Sequence, residues 1–263
     1  MHTQAQAQPI RKQTNIALVT GASRGLGRST ALKLAADGVD VIVTYKGKQA
    51  EAQAVVAAVE ALGRRALALQ LDVGDSASFT AFASTVKAAL KDTWQREQFD
   101  FLVNNAGAGA HASFEETTEA QLDAMFNIHL KGTFFLTQKL LPLIKDGGRI
   151  VNTSSGLTRF AYPGYSAYAI MKGGVEVLTR YMAKELGARG IAVNTIAPGA
   201  IETDFGGGTV RDDAQLNAAI AGQTALGRVG LPDDIGGAVA ALLGDGNRWL
   251  NAQRVEVSGG ISI

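Results

Sequence analysis

Short β-branched apolar runs alternate along the chain with Ala-rich stretches of helical length. The candidate strands are IALVT (16–20), VDVIVTY (39–45), RALALQL (65–71), FDFLV (99–103), GRIVNTS (148–154), IAVNTIA (191–197) and QRVEV (253–257). Several are apolar at nearly every position, which suits strands covered by helices on both faces. Between them the apolar spacing predicts helices over 25–37, 49–62, 76–91, 118–142, 166–188 and 232–243, with Pro142 ending the fourth. Strand and helix in alternation is the pattern of βαβ units. The expected fold is therefore α/β: one Rossmann-type, doubly wound sheet of seven parallel strands with helices on both faces. Residues 1–13 are polar and read as a flexible arm, and 14–263 as a single domain. The alternation breaks only at 199–224, a long connection that contains FGGG (205–208); such connections in compact domains are usually functional or mobile.

Composition narrows the function. A chain of 263 residues with 46% hydrophobic content can bury a large core, and no break in composition marks a second domain. The formal net charge of +1 and the lack of a basic run supply no field for nucleic acid or an anionic membrane, so small-molecule chemistry is favoured. The absence of Cys removes disulfides and thiolate chemistry. His2, His111 and His129 lack the i, i+4 spacing of a helical zinc motif, so no metal site is expected. The opening MHTQAQAQPIRKQ has no apolar stretch of signal-peptide type, and no apolar run elsewhere is long enough for a bilayer. The expectation is a cytoplasmic, soluble protein.

Directly after the first predicted strand comes TGASRGLG (20–27), which places Gly21, Gly25 and Gly27, with Ser23, Arg24 and Leu26, at the turn into a helix. Glycines there let the backbone approach a pyrophosphate, whose charge the helix amino terminus favours. An acid at the end of the second strand would bond a ribose 2′-hydroxyl and repel a 2′-phosphate. This strand ends instead in Thr44, Tyr45 and Lys46, with Lys48 close by, and Arg24 adds another cation. Surface lysines are often merely solvated, but together these residues predict NADP(H) in preference to NAD(H).

The stretch YAIMKGG (168–174) sets a phenol and an ammonium one helical turn apart. On a helix Tyr168 and Lys172 share a face and can touch. Alone, such a pair is a surface contact or a proton donor with the cation that tunes it. Taken with NNAG (104–107), SSG (154–156) and PG (198–199), in this order after the glycine loop, the set resembles the short-chain dehydrogenase/reductase family over residues 14–260, in particular its NADP-preferring, 3-oxoacyl-ACP-reductase-like branch.

That resemblance implies a catalytic group of Asn127, Ser155, Tyr168 and Lys172. Ser155 is preferred to Ser154 because the family's Ser-to-Tyr interval is about a dozen residues. It implies cofactor contacts from Asp72 and Val73 in LDV, from Asn104, Ala106 and Gly107 in NNAG, and from Pro198, Gly199, Ile201 and Thr203 in PGAIET. Tyr168 would act as general acid/base, with Lys172 drawing its pKa down. Asn127 would hold a water linking Lys172 to solvent, which requires a local bend that frees a backbone carbonyl. The departures are Met171 before the Lys and Gly173 and Gly174 after it. A homotetramer packed through the fourth and fifth helices is expected from the same resemblance. The substrate pocket would draw on 106–112, LTRFAY (157–162) and the loop containing Phe205, with Arg159 facing either an anionic group or water. The expected function is reversible hydride transfer to a small carbonyl or secondary-alcohol substrate. The competing readings are a non-catalytic dinucleotide-binding regulator and a Rossmann-like methyltransferase.

Overall fold

The computed structural model describes residues 13–263. The expected arm, apart from Gln13, lies outside the described residues. Seven strands form one parallel sheet in the order β3-β2-β1-β4-β5-β6-β7. They are β1 (Ile16–Val19), β2 (Asp40–Tyr45), β3 (Ala66–Gln70), β4 (Phe99–Asn104), β5 (Ile144–Thr153), β6 (Ala192–Pro198) and β7 (Arg254–Val257). The apolar runs serve two cores because successive side chains leave a strand on opposite faces. Ala17, Val19, Val41, Val43, Val103 and Val151 pack under α1 (Gly25–Ala36), α2 (Gln49–Ala61) and α9 (Pro232–Leu243). Ile16, Leu18, Ile42, Leu102 and Ile150 pack on the other face, against α3 (Phe79–Trp94), α5 (Gly132–Leu140) and α6 (Ser166–Leu186).

The predicted fourth helix is three pieces. Thr118 and Gln121 form a reciprocal capping box that starts α4 (Glu119–Met125), a π-helical turn follows at Phe126–Lys131, and α5 runs to a tight turn at Leu141–Leu143 that contains Pro142. The cause lies outside the segment: a side chain at Gly132 would collide with the carbonyl of Val73, so the helix passes that strand end at backbone distance. The Gly132 N–H then reaches back five residues to the Asn127 carbonyl, the local departure from α-helical bonding.

The connection at 199–224 is also more ordered than its sequence suggests. It holds a turn at Phe205–Gly208, then α7 (Thr209–Asp212) and α8 (Ala214–Gly222). Asp213 caps α8 by accepting the Gln215 and Leu216 N–H groups at 2.9 and 3.0 Å. No residue of α8 is buried, so tertiary packing gives it little of the apolar pattern that marks a helix. The third predicted helix starts and ends about one turn late, because Asp75 first caps a short 3₁₀ turn at Ser76–Ser78. Strand order reverses between β1 and β4, and the carboxyl ends of both open on one crevice.

Candidate active site

The glycine loop follows β1 and leads into α1, which carries no side-chain cap and no acid in its first turn. Its first N–H groups are thus available to an anion. Gly21 and Gly25 hold φ of +62° and +54°, a region that side chains rarely enter. A Cβ at Gly21 would also stand only 2.9 Å from the Cα of Ala106. Two residues not singled out from the sequence clamp this contact. The Thr20 hydroxyl accepts the N–H groups of Asn105 and Ala106, both at 2.9 Å, and the Asn105 amide donates to the Thr20 carbonyl at 2.9 Å. The result is a cradle of backbone donors with no side-chain bulk and no competing acid, which fits a pyrophosphate.

The other cofactor candidates rim the same edge. Ser23 and Arg24 lie in the loop, Leu26 packs into the first core, and Arg24 pairs with Asp204 at 3.2 Å. Tyr45 ends β2 and is buried, while the exposed Lys46 pairs with Asp72 at 2.8 Å. Asp72 also accepts the Gly74 N–H, and Lys46 with this bond holds its carboxyl below the ordinary range despite partial burial. Val73 packs on the second core. Asn104 donates to Asn152 at 2.8 Å and Thr137 at 2.9 Å, which ties β4 to β5 and α5, and Ala106 and Gly107 continue from it. Pro198 ends β6 and the Gly199 N–H bonds the Val257 carbonyl at 3.1 Å. Ile201 bridges to Gly230, and Thr203 stands beside Gly25 while accepting the Phe205 N–H at 3.2 Å.

Ser155, Tyr168 and Lys172 come together on this edge. All three are buried, at 9%, 8% and 4% exposure. Ser155 follows β5, and Tyr168 and Lys172 lie one turn apart in α6, with the ammonium 5.5 Å from the phenol ring centre. Lys172 donates to the Thr153 carbonyl at 2.7 Å. Ser154 points away, its hydroxyl donating to Glu176 at 2.6 Å. Burial pushes the Tyr168 phenol above its ordinary value, against a hydrogen bond with Ser155 that pulls it down. Burial likewise brings Lys172 down to about 7. The protein's own groups therefore do not achieve the expected lowering of the phenol: with both groups out of water, each favours its neutral form.

Asn127 lies in the π-helical turn, half-buried. Its side chain makes no direct hydrogen bond to Ser155, Tyr168 or Lys172 among the described residues. Two positions on, His129 is 1% exposed and its ring stands edge-on to Tyr168, centroids 5.1 Å apart.

Arg159, a third exposed, is engaged by an anion of the chain itself and so is not held free for a substrate. It donates twice to Glu256 at 2.8 Å and also to the carbonyls of Ile261 and Ser262, pinning the chain end. Leu157 packs near Tyr168, and Phe205 lies 5.6 Å from it, centre to centre, on the turn of positive-φ glycines. Among the described residues no group of three or more His, Cys, Asp or Glu is arranged to hold a metal, and no helix is long and apolar enough to cross a membrane.

Comparison with known proteins agrees with this geometry. A family model described as enoyl-(acyl carrier protein) reductase matches residues 21–262. The 3-oxoacyl-[acyl-carrier-protein] reductase FabG of Staphylococcus aureus is 39% identical over 253 residues, covering 95% of this chain and 99% of that protein. Among solved structures, the promiscuous reductase LugOII, which catalyses keto-reduction at C1 in lugdunomycin biosynthesis, superposes with a TM-score of 0.90 at 37% identity over 95% of this chain and 99% of its own. The landomycin C-6 ketoreductase LanV, solved with NADP and rabelomycin, gives a TM-score of 0.86 at 35% identity over 94% and 96%.

Proposed function

The chain belongs to the short-chain dehydrogenase/reductase family and is an oxidoreductase of that family, and from this premise we propose that it is an NADP(H)-dependent carbonyl reductase with Tyr168 as its general acid/base. The observation that carries the reading is the convergence of Ser155, Tyr168 and a buried Lys172 without a carboxylate partner beside the glycine cradle. When bound, the nicotinamide supplies the hydride to the carbonyl carbon. Tyr168 gives its proton to the carbonyl oxygen as negative charge develops there. Ser155 donates a hydrogen bond to that oxygen and fixes it for attack. Lys172 holds positive charge beside the phenol ring and returns a proton to it after transfer.

Gly21, Gly25, Leu26 and Gly27 would hold the pyrophosphate, Asp72 and Val73 the adenine side, Asn104, Ala106 and Gly107 the middle, and Pro198, Gly199, Ile201 and Thr203 the nicotinamide side. Arg24 and Lys46 support NADP over NAD: both are exposed cations beside the cradle, and their ion pairs are surface pairs that cost little to exchange. Leu157 and Phe205 give the substrate an apolar wall beside Tyr168, which supports a ketone or 3-oxo ester of modest polarity. Exposed Phe134 and Phe135 on α5 and Ile170, Val177 and Tyr181 on α6 support a homotetramer built through these helices. Light scattering of a monomeric mass would remove that part.

The test is titration of nucleotide fluorescence with NADPH and NADH, followed by a screen of ketones, aldehydes and 3-oxo esters beside Tyr168→Phe. The expected result is tighter binding of NADPH and turnover that falls by roughly 10³-fold in the variant. Turnover unchanged in Tyr168→Phe would refute the assignment.

A further inference from the structure

His129 is the buried titratable group for which the proposed chemistry has no use, and its surroundings define its state. Its Nε2 lies 2.7 Å from the Ala108 carbonyl. A carbonyl can only accept, so Nε2 carries a hydrogen. Burial and the charge of Lys172 together bring the imidazole down to about 3, with the Ala108 bond acting weakly the other way, so the ring is neutral and Nδ1 is a bare lone pair. That Nδ1 is fully buried and unpartnered. It cannot turn away, because the ring is pressed between Tyr168 on one side and Gly107 on the other; a Cβ at Gly107 would stand 2.8 Å from the ring's Cε1 and 3.3 Å from Nδ1.

Lys172 has the complementary feature. One of its three ammonium hydrogens is held by the Thr153 carbonyl, and no other side chain among the described residues accepts from it. An unmatched donor and an unmatched acceptor thus flank the same phenol ring. An unmatched buried acceptor is costly, and native proteins keep one where something is to be bound or passed on. Resting on the Tyr168 reading above, we propose that His129 is a further member of the group: a positioning residue that fixes the Tyr168 ring edge-on and offers Nδ1 as the acceptor that anchors the hydrogen-bonded chain by which solvent water returns a proton to Lys172, and Lys172 to Tyr168. The neutral imidazole accepts a hydrogen bond and takes up no proton, so no charge is added beside Lys172.

Two substitutions separate this role from simple filling of space. Asn places an oxygen at the same bond count from Cα as Nδ1 and so keeps the acceptor. Gln reaches toward Ala108 and keeps that bond but leaves no acceptor at the Nδ1 position. His129→Gln is expected to lose about 10- to 100-fold in kcat with KM and NADPH binding unchanged. His129→Asn is expected to stay within about threefold of wild type, at unaltered Tm for both. Wild-type kcat in His129→Gln, or equal losses in Gln and Asn, would overturn the acceptor role. Tyr168→Phe is run alongside: full turnover there would remove the underlying reading, whereas an inactive Tyr168→Phe beside a fully active His129→Gln removes only the role of His129. A second readout does not require the variants at this position to fold. In ¹⁵N-histidine spectra of wild type, Nδ1 of His129 should carry the shift of a hydrogen-bonded lone pair and move on Lys172→Met; an identical shift in both proteins contradicts the proposal.

Discussion

The two edges of the sheet bury charge in opposite ways. At the amino ends of the strands, Asp40 is 1% exposed and accepts from the Arg65 N–H at 2.9 Å, its side chain at 3.2 Å and the Trp94 indole at 2.8 Å. Asp100 beside it accepts from Arg96 and from the Ile16 N–H, both at 2.8 Å. At the carboxyl ends, Lys172 is as deeply buried but has a single carbonyl for a partner, and His129 Nδ1 has none. A buried charge without an opposite charge is costly and is held in place only by the packing around it. The first edge is thus built for stability, and the second carries groups whose proton affinities are displaced, as chemistry requires.

Substitution should expose this contrast. The largest effect is expected from Lys172→Met, which removes the unpartnered charge: kcat should fall by about 10²- to 10⁴-fold while the urea midpoint at neutral pH holds or rises. Loss of stability with activity kept would reverse the assignment of that edge. Asp100→Ala should do the opposite, leaving Arg96 buried without its partner at a cost of about 3–5 kcal/mol, read as a lower urea midpoint with kcat per folded molecule unchanged. The joint change of Arg24 and Lys46 to Ala should weaken NADPH by roughly 10- to 100-fold and leave NADH nearly untouched, measured by fluorescence titration; equal losses would show that neither cation reads the 2′-phosphate.

The smallest effect is on pH dependence. Lys172 near 7 in the fold stands against roughly 10.4 unfolded, so between these values the unfolded chain binds more protons and stability rises with pH. His129, near 3 against roughly 6.5, adds a similar rise on the acid side, and its contribution is lost as pH falls through that window. Urea unfolding across pH should show both slopes, the alkaline one flattened in Lys172→Met and the acid one in His129→Asn. Retention of either slope in its variant would mean that another group sets it.

The same division explains what could be read from the chain alone. The central strands were legible because both faces are buried, which leaves runs such as IALV with no polar position. The glycine loop and the Tyr168–Lys172 pair were legible because their geometry is local, one turn and one helical step. What escaped depends on partners distant in sequence. The π-helical turn at 126–131 has good helical spacing and no breaker; the Val73 carbonyl against Gly132 imposes it, and with it the placing of His129 against Tyr168. Arg159 gave no sign of its bond to Glu256, which β7 brings beneath it. The 199–224 segment hid α8 because none of its residues is fully buried and its inner face is only half covered.

The central claim is that the buried carboxyl-edge groups work together on the proton of Tyr168. The most direct measurement is the phenolate absorbance of wild type minus Tyr168→Phe, titrated with pH in the absence and presence of NADP⁺. Burial, aided by Tyr165, holds the phenol up, so no ionisation of Tyr168 is expected below about pH 10 without nucleotide, and a phenolate should appear at lower pH once the positive ring of NADP⁺ joins Lys172. An identical midpoint in both titrations, or a phenolate already present near neutral pH in the protein alone, would contradict the account.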